Sequence, residues 1–183
     1  MADELRFQLT LYPEPVLRRA AAPVEAFDDE LEGIVEAMFE RMVASKGVGL
    51  AAPQVGLKKR ILVLNATGEP KDDQVLVNPT ILDKFGEETV FEEGCLSFPG
   101  IYAEVKRPES CRVRAFTVKG EEQELTFDGF PSRIVQHEYD HLEGVLLVDR
   151  MSPADKQRHK AALEELVELY KRKRAKTAKA ARR

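Results

Sequence analysis

Tryptophan is absent from the 183 residues, cysteine occurs twice and histidine three times. Two cysteines, Cys95 and Cys111, cannot make a disulfide framework, and their scarcity suits a reducing compartment; a Cys95–Cys111 bridge would compete with any metal use of the thiols. No apolar run approaches the ~20 residues that a membrane-crossing helix needs. The stretch from Met1 to Phe7 lacks the apolar core of a secretory signal and is too acidic for an organelle transit peptide. A bacterial cytoplasm is therefore the expected location, and a mature organelle form would look the same. There are no internal repeats and no Ser/Gly linker, so one domain is expected over residues 1–170, long enough to bury a core unaided, followed by a basic tail over 171–183.

The formal net charge of −4 conceals an asymmetry. Lys171, Arg172, Lys173, Arg174, Lys176, Lys179, Arg182 and Arg183 stand in the last 13 residues with no acidic neighbour, which leaves 20 basic against 32 acidic residues, about −12, in the body. Such a tail suits a polyanion such as RNA, bound through salt-sensitive phosphate contacts. It also suits a solvated helix end with cations where the helix dipole favours them.

Along the chain, residues 1–26 read as an extended arm, since Tyr12-Pro13-Glu14-Pro15 cannot be helix interior. Leu31, Ile34, Val35, Met38, Phe39, Met42 and Val43 keep helical spacing, which predicts a helix from Asp29 to Ser45 with Asp29 and Glu32 as its capping pair and Gly47 at its end. From Arg60 to Phe127 short apolar and alternating runs predict strands over 60–65, 74–78, 80–85, 101–107, 111–118 and 122–127, the last two joined by a hairpin at Lys119-Gly120. Cys111 shares a strand face with Val113 and reads as a small buried hydrophobe. A helix near Pro131 to Leu142, ended by Gly144, is followed by another that starts at Ser152-Pro153-Ala154-Asp155 and buries Ala162, Leu163, Leu166, Val167, Leu169 and Tyr170. The expected class is α+β: small mixed or antiparallel sheets packed around a central helix, with an N-terminal and a C-terminal helix.

That central helix carries Gln136-His137-Glu138-Tyr139-Asp140-His141. Histidines four apart share a helix face and can reach one metal ion, and Glu138 beside the first can take a proton from a water at that metal. The third ligand must come from elsewhere. Leu147 stands where a longer His-x-x-Gly-x-x-His pattern would need histidine, and Glu164 and Glu165, which a zinc endopeptidase would use, fall in a charged segment. Cys95, in Glu93-Gly94-Cys95-Leu96-Ser97, is the better candidate: a thiolate with two imidazoles leaves the fourth position open for water. Upstream, Gly47-Val48-Gly49-Leu50-Ala51-Ala52-Pro53-Gln54 is an uncharged small-residue loop without the lysine and hydroxyl of a phosphate-binding loop. Gln54 could donate to a developing oxyanion or simply bond to loop backbone. Arg133, one turn before His137, either faces the site or points to solvent.

These three stretches, complete and in this order, resemble the peptide deformylases, with a likeness from about Leu11 to Arg150. The continuation Phe98-Pro99-Gly100-Ile101-Tyr102 and the Glu-Gly-Val after His141 are similar to the bacterial and plastid branch. The resemblance implies a catalytic metallohydrolase domain that removes the N-formyl group from formyl-methionine on nascent chains. It implies Cys95, His137 and His141 as ligands of one divalent metal, natively ferrous iron with zinc, nickel or cobalt as substitutes. Glu138 would carry the proton, and the Gln54 side chain and Leu96 N–H would hold the oxyanion. The Gly49 backbone would bind the peptide as an added strand, beside Val48 at the methionine pocket. It also implies that the tail meets ribosomal RNA. A ribosome-associated factor with a structural metal is the remaining alternative, although no second cysteine lies near Cys95 to close such a site.

Overall fold

Four consecutive apolar residues, Ile61 to Leu64, are all buried because both faces of their strand are covered. In the computed structural model, which describes residues 5–180, they form the second strand of a single antiparallel sheet. The strands β1 (Gly49–Ala51), β2 (Ile61–Leu64), β3 (Gln74–Cys95), β4 (Phe98–Phe116) and β5 (Glu122–Asp128) lie in sequence order across it. The α+β class is as expected, with one sheet where several small or mixed ones were expected. The residues predicted as separate strands over 74–85 are one long strand, and Pro108 sits inside β4. Register shifts at Ile81/Asp83 and Phe85/Glu88 keep this β3–β4 ribbon paired while it bends.

Helix α1 (Asp29–Ala44) covers one face, packing Leu31, Ile34, Val35, Met38 and Met42 against Leu50, Ile61, Val63 and Val77. Its cap is Asp28, one residue before the expected pair: the Asp28 carboxylate accepts from Leu31 N–H at 3.0 Å. At the other end Lys46, not Gly47, takes the left-handed conformation, and Gly47 N–H closes onto Met42 O at 2.9 Å. Helix α2 (Gly129–Leu142) covers the opposite face, where Ile134, Val135 and Leu142 meet Leu62, Leu64, Leu76 and Val113. Cys111 is buried in the same cluster, beside the Ser132 hydroxyl, as the strand alternation required.

The arm is not extended throughout. Pro15–Arg18 form a short 3-10 turn that buries Leu17 in a third cluster with Phe98, Ile101, Val105 and Leu146. After α3 (Leu147–Arg150), Ser152 caps α4 (Pro153–Arg158) as expected. The chain then breaks at His159 and restarts as α5 (Lys160–Ala180), where one continuous helix was expected. Only Leu166 of the predicted apolar stripe is buried, and Leu169 is 50% exposed. The basic residues up to Lys179 continue α5; Arg182 and Arg183 lie outside the described residues. No described helix is long and apolar enough to cross a membrane.

Candidate metal centre

Helical spacing puts Ile134, His137, Glu138 and His141 on the face of α2 turned toward the protein, and all four are buried. The end of β3 brings Cys95 to them. One donor atom from each of Cys95, His137 and His141 falls within 4.8 Å of the others, and Cys95 Sγ lies 3.2 Å from His141 Nε2. A thiolate with two imidazoles is the donor set of a three-ligand divalent site with an open position. Glu164 and Glu165 are exposed on α5, and neither is in this cluster. The endopeptidase ligand set is therefore not assembled.

His137 Nδ1 is 3.0 Å from Glu93 Oε2, a contact that fixes the ring and frees Nε2 for a ligand role. Glu93 is itself gripped. Arg107 Nε and Nη2 donate to its two oxygens at 2.7 and 2.9 Å, and Arg133 Nη1 donates to Oε1 at 2.8 Å. The third Arg107 nitrogen, Nη1, donates to Asp140 Oδ2 at 2.8 Å, and Arg150 clamps Asp140 from outside at 2.6 and 3.0 Å. Burial pushes the Glu93 carboxyl up, but hydrogen bonds from His137 and Arg107 and the Arg107 charge outweigh it and hold it at about 2.

Burial alone would push the His137 imidazole down; the Cys95 thiol and Glu93 more than reverse that, so the cluster stabilises positive charge at this point. Burial pushes His141 well below its usual range, and the positive charge of His137 adds to it, so His141 is neutral and has a lone pair to give. His141 can give its lone pair as it stands, whereas His137 would release a proton to a divalent cation, whose charge would then take the place that the cluster favours. Glu138 is pushed up to about 7, chiefly by burial, and its Oε2 has no hydrogen-bond partner among the described residues. A carboxylate so placed is poised to exchange a proton near neutrality.

Gln54 bonds to loop backbone, one of the two alternatives read from the sequence. Its Oε1 accepts from Ala51 N–H at 2.8 Å, which turns Nε2 toward Cys95 Sγ at 3.6 Å. Leu96 occupies the turn between β3 and β4, with its side chain against Gly47. Gly49, expected in a loop, begins β1 at the edge of the sheet, where one side of the strand is unpaired among the described residues. It also lies tight on α2: a Cβ there would come 2.6 Å from Glu138 Oε1 and Ile134 Cγ2. Val48 borders a cleft of about 680 Å³ that opens onto Glu138 and runs past Phe91, Phe130 and Ile134. Arg133 lies along this cleft but is buried, held by Glu93, Val105 O and Thr89, with its guanidinium 5.5 Å from the Phe91 ring. Reading the sequence for ligands missed Glu93, Arg107 and Asp140 as supports. One signal was available: Arg107 falls on the same inward strand face as Ala103 and Val105.

The family model for polypeptide deformylase matches residues 7–157. The chain is 45% identical to peptide deformylase 1B, chloroplastic/mitochondrial, of Arabidopsis thaliana over 94% of its own length and 65% of that protein's. It is 43% identical to the peptide deformylase of Thermotoga petrophila over 91% and 99% of the two. Among solved structures, that of the Arabidopsis thaliana peptide deformylase 1B superposes with a TM-score of 0.87 at 45% identity, covering 91% of this chain and 93% of that one.

Proposed function

The chain belongs to the peptide deformylase family, hydrolases that remove the formyl group from nascent peptides, and from that premise we propose which of its residues do the work. The observation that carries the reading is the convergence of Cys95, His137 and His141 beside Glu138, whose Oε2 has no hydrogen-bond partner among the described residues. A divalent ion held by those three residues supplies Lewis acidity and a water of lowered pKa. Ferrous iron is the ion proposed, and zinc, nickel and cobalt suit the same donors.

The protein groups divide the remaining tasks. β1 offers its open edge at Gly49 to the backbone of the formylated peptide, and the methionine side chain enters the cleft beside Val48. Gln54 Nε2 and Leu96 N–H donate to the oxygen of the formyl carbonyl as it gains charge. Glu138 takes the proton from the attacking water and returns it to the departing amine nitrogen, so formate and a free N-terminus result. Water reaches Glu138 through the cleft, which that residue lines.

Residues 1–170 serve as the catalytic domain in this reading, and the basic end of α5 contacts ribosomal RNA, which places the enzyme where formylated chains emerge: a bacterial cytoplasm or an organelle interior. The direct test is release of formate from formyl-Met-Ala-Ser by protein purified without oxygen, with metal content read on the same sample. Formate with about one metal ion per chain is expected. Bound metal without formate would overturn the assignment.

A further inference from the structure

The sheet joins two parts of the site only the long way round, through β2 and the full length of β3. Gln54 follows β1, whereas Leu96 lies in the β3–β4 turn, and among the described residues β1 pairs only with β2. What spans the gap is the N-terminal arm. Thr10 N–H donates to Gln54 O at 2.7 Å, and Tyr12 N–H, two residues on, donates to Ser97 O at 3.0 Å. The Tyr12 ring stacks on Phe98 at 5.0 Å, which anchors the arm at the turn. Farther along, Ala21 N–H donates to Leu142 O at 2.8 Å, next to His141, and the Arg18 carbonyl lies where a Cβ on Gly144 would meet it at 2.7 Å. One stretch of chain thus touches all three segments that build the site.

We propose that the arm is a positioning element: Thr10 and Tyr12, through their backbone N–H groups, set the separation between the two donors that face the formyl oxygen. The argument rests on the roles given above to Gln54 and Leu96. Residues 10 and 12 are the two ends of a main-chain spacing of at most about 7 Å, the reach of two extended residues. They hold the residue carrying the side-chain donor and the residue next to the backbone donor. Gln54 Nε2, directed at Cys95 Sγ, crosses the same gap on its inner side. Catalysis by prearranged donors is sensitive to displacements of ~1 Å, at a cost that can reach ~10² in rate. Loosening the arm therefore acts chiefly on the charge-developing step, and reaches peptide binding only through Leu9, which lines the cleft one residue before Thr10.

The test is Thr10→Pro, which deletes one N–H, alone and combined with Gln54→Ala. In the otherwise native protein kcat for formyl-Met-Ala-Ser should fall tenfold or more, with KM within about twofold and metal content unchanged. In the Gln54→Ala background Thr10→Pro should cost less than about threefold further, because the donor it positions is gone. A folded Thr10→Pro protein with native kcat overturns the proposal, and so does an equal loss in both backgrounds. If Thr10→Pro fails to fold, threonine's α-hydroxy analogue placed at position 10 by a chemically acylated suppressor tRNA removes the same N–H, keeps the side chain and is read by the same two criteria. Native kcat in Gln54→Ala alone would sink the underlying assignment of Gln54. A deficient Gln54→Ala beside fully active arm variants would sink only the arm's role.

Discussion

Glu93 Oε2 meets His137 Nδ1 at 3.0 Å while both Glu93 oxygens are held by Arg107. The ring that would bind the metal is thus oriented by a carboxylate whose own rotamer is locked. Removing such a support weakens metal binding by roughly 10- to 100-fold in comparable sites. Glu93→Gln is expected to lose metal affinity to that extent, read by chelator competition with cobalt or zinc, while Lys106→Gln on the exposed face of the same ribbon should lose none.

The same carboxylate predicts an acid sensitivity. Its pKa, held at about 2 in the fold against an ordinary 4.5, favours the folded chain at pH values above 4.5. That contribution, on the order of 3 kcal/mol, fades as pH falls from 4.5 toward 2. Thermal unfolding of chelator-treated protein should show a midpoint that falls through this window, with a shallower fall in Glu93→Gln. Equal slopes for the two proteins would contradict the assignment.

Glu138 gives a second pH signature. Burial lifts it to about 7, and only its ionised form can accept a proton. A nearby divalent cation favours that ionised form, so the acid limb of kcat/KM in metal-loaded enzyme should lie at or below about 7. Glu138→Gln should retain metal and lose roughly 10²–10⁴ in kcat. Retained activity would remove Glu138 from the mechanism.

Gly49→Ala tests the closeness of β1 to α2. The added methyl would sit 2.6 Å from Glu138 Oε1 and Ile134 Cγ2, and neither neighbour can retreat without moving the base or opening the core. A loss of about 10² in kcat with metal content unchanged is expected. Native activity would show that the strand and helix can separate there.

Removing residues 171–183 should spare hydrolysis of formyl-Met-Ala-Ser, because Leu166 is the last buried residue of α5. Ribosome co-sedimentation at low salt should weaken in the same variant. Lost peptide hydrolysis would instead make the tail part of the catalytic fold.

The convergence of Cys95, His137 and His141 was legible because helical periodicity puts His137 and His141 on one face, and Cys95 is one of only two thiols in the chain. The class of the fold followed from the same periodicities. Less was legible where partners come from distant segments. The inward strand face of Arg107 could be read, but not its partners: Arg107 and Arg133 meet only when β4 and α2 close on Glu93, and that closure depends on how the long β3–β4 ribbon bends. The small, uncharged run at Gly49 gave no sign of a strand, because the pairing with Leu64 that defines it is long-range. At His159 the break between α4 and α5 lacks the proline or glycine that would have announced it.

The last buried residue of α5 stands 14 positions before Ala180, roughly 20 Å of helix at ~1.5 Å per residue. The Debye length at physiological ionic strength is about 8 Å. The acidic body therefore exerts little pull on the outer lysines and arginines, and the molecule behaves as two poles that solvent has uncoupled. If the proposed RNA contact holds, a polyanion within that distance meets attraction from one end only, and the direction in which the cleft then faces is set by the long axis of a helix outside the candidate site.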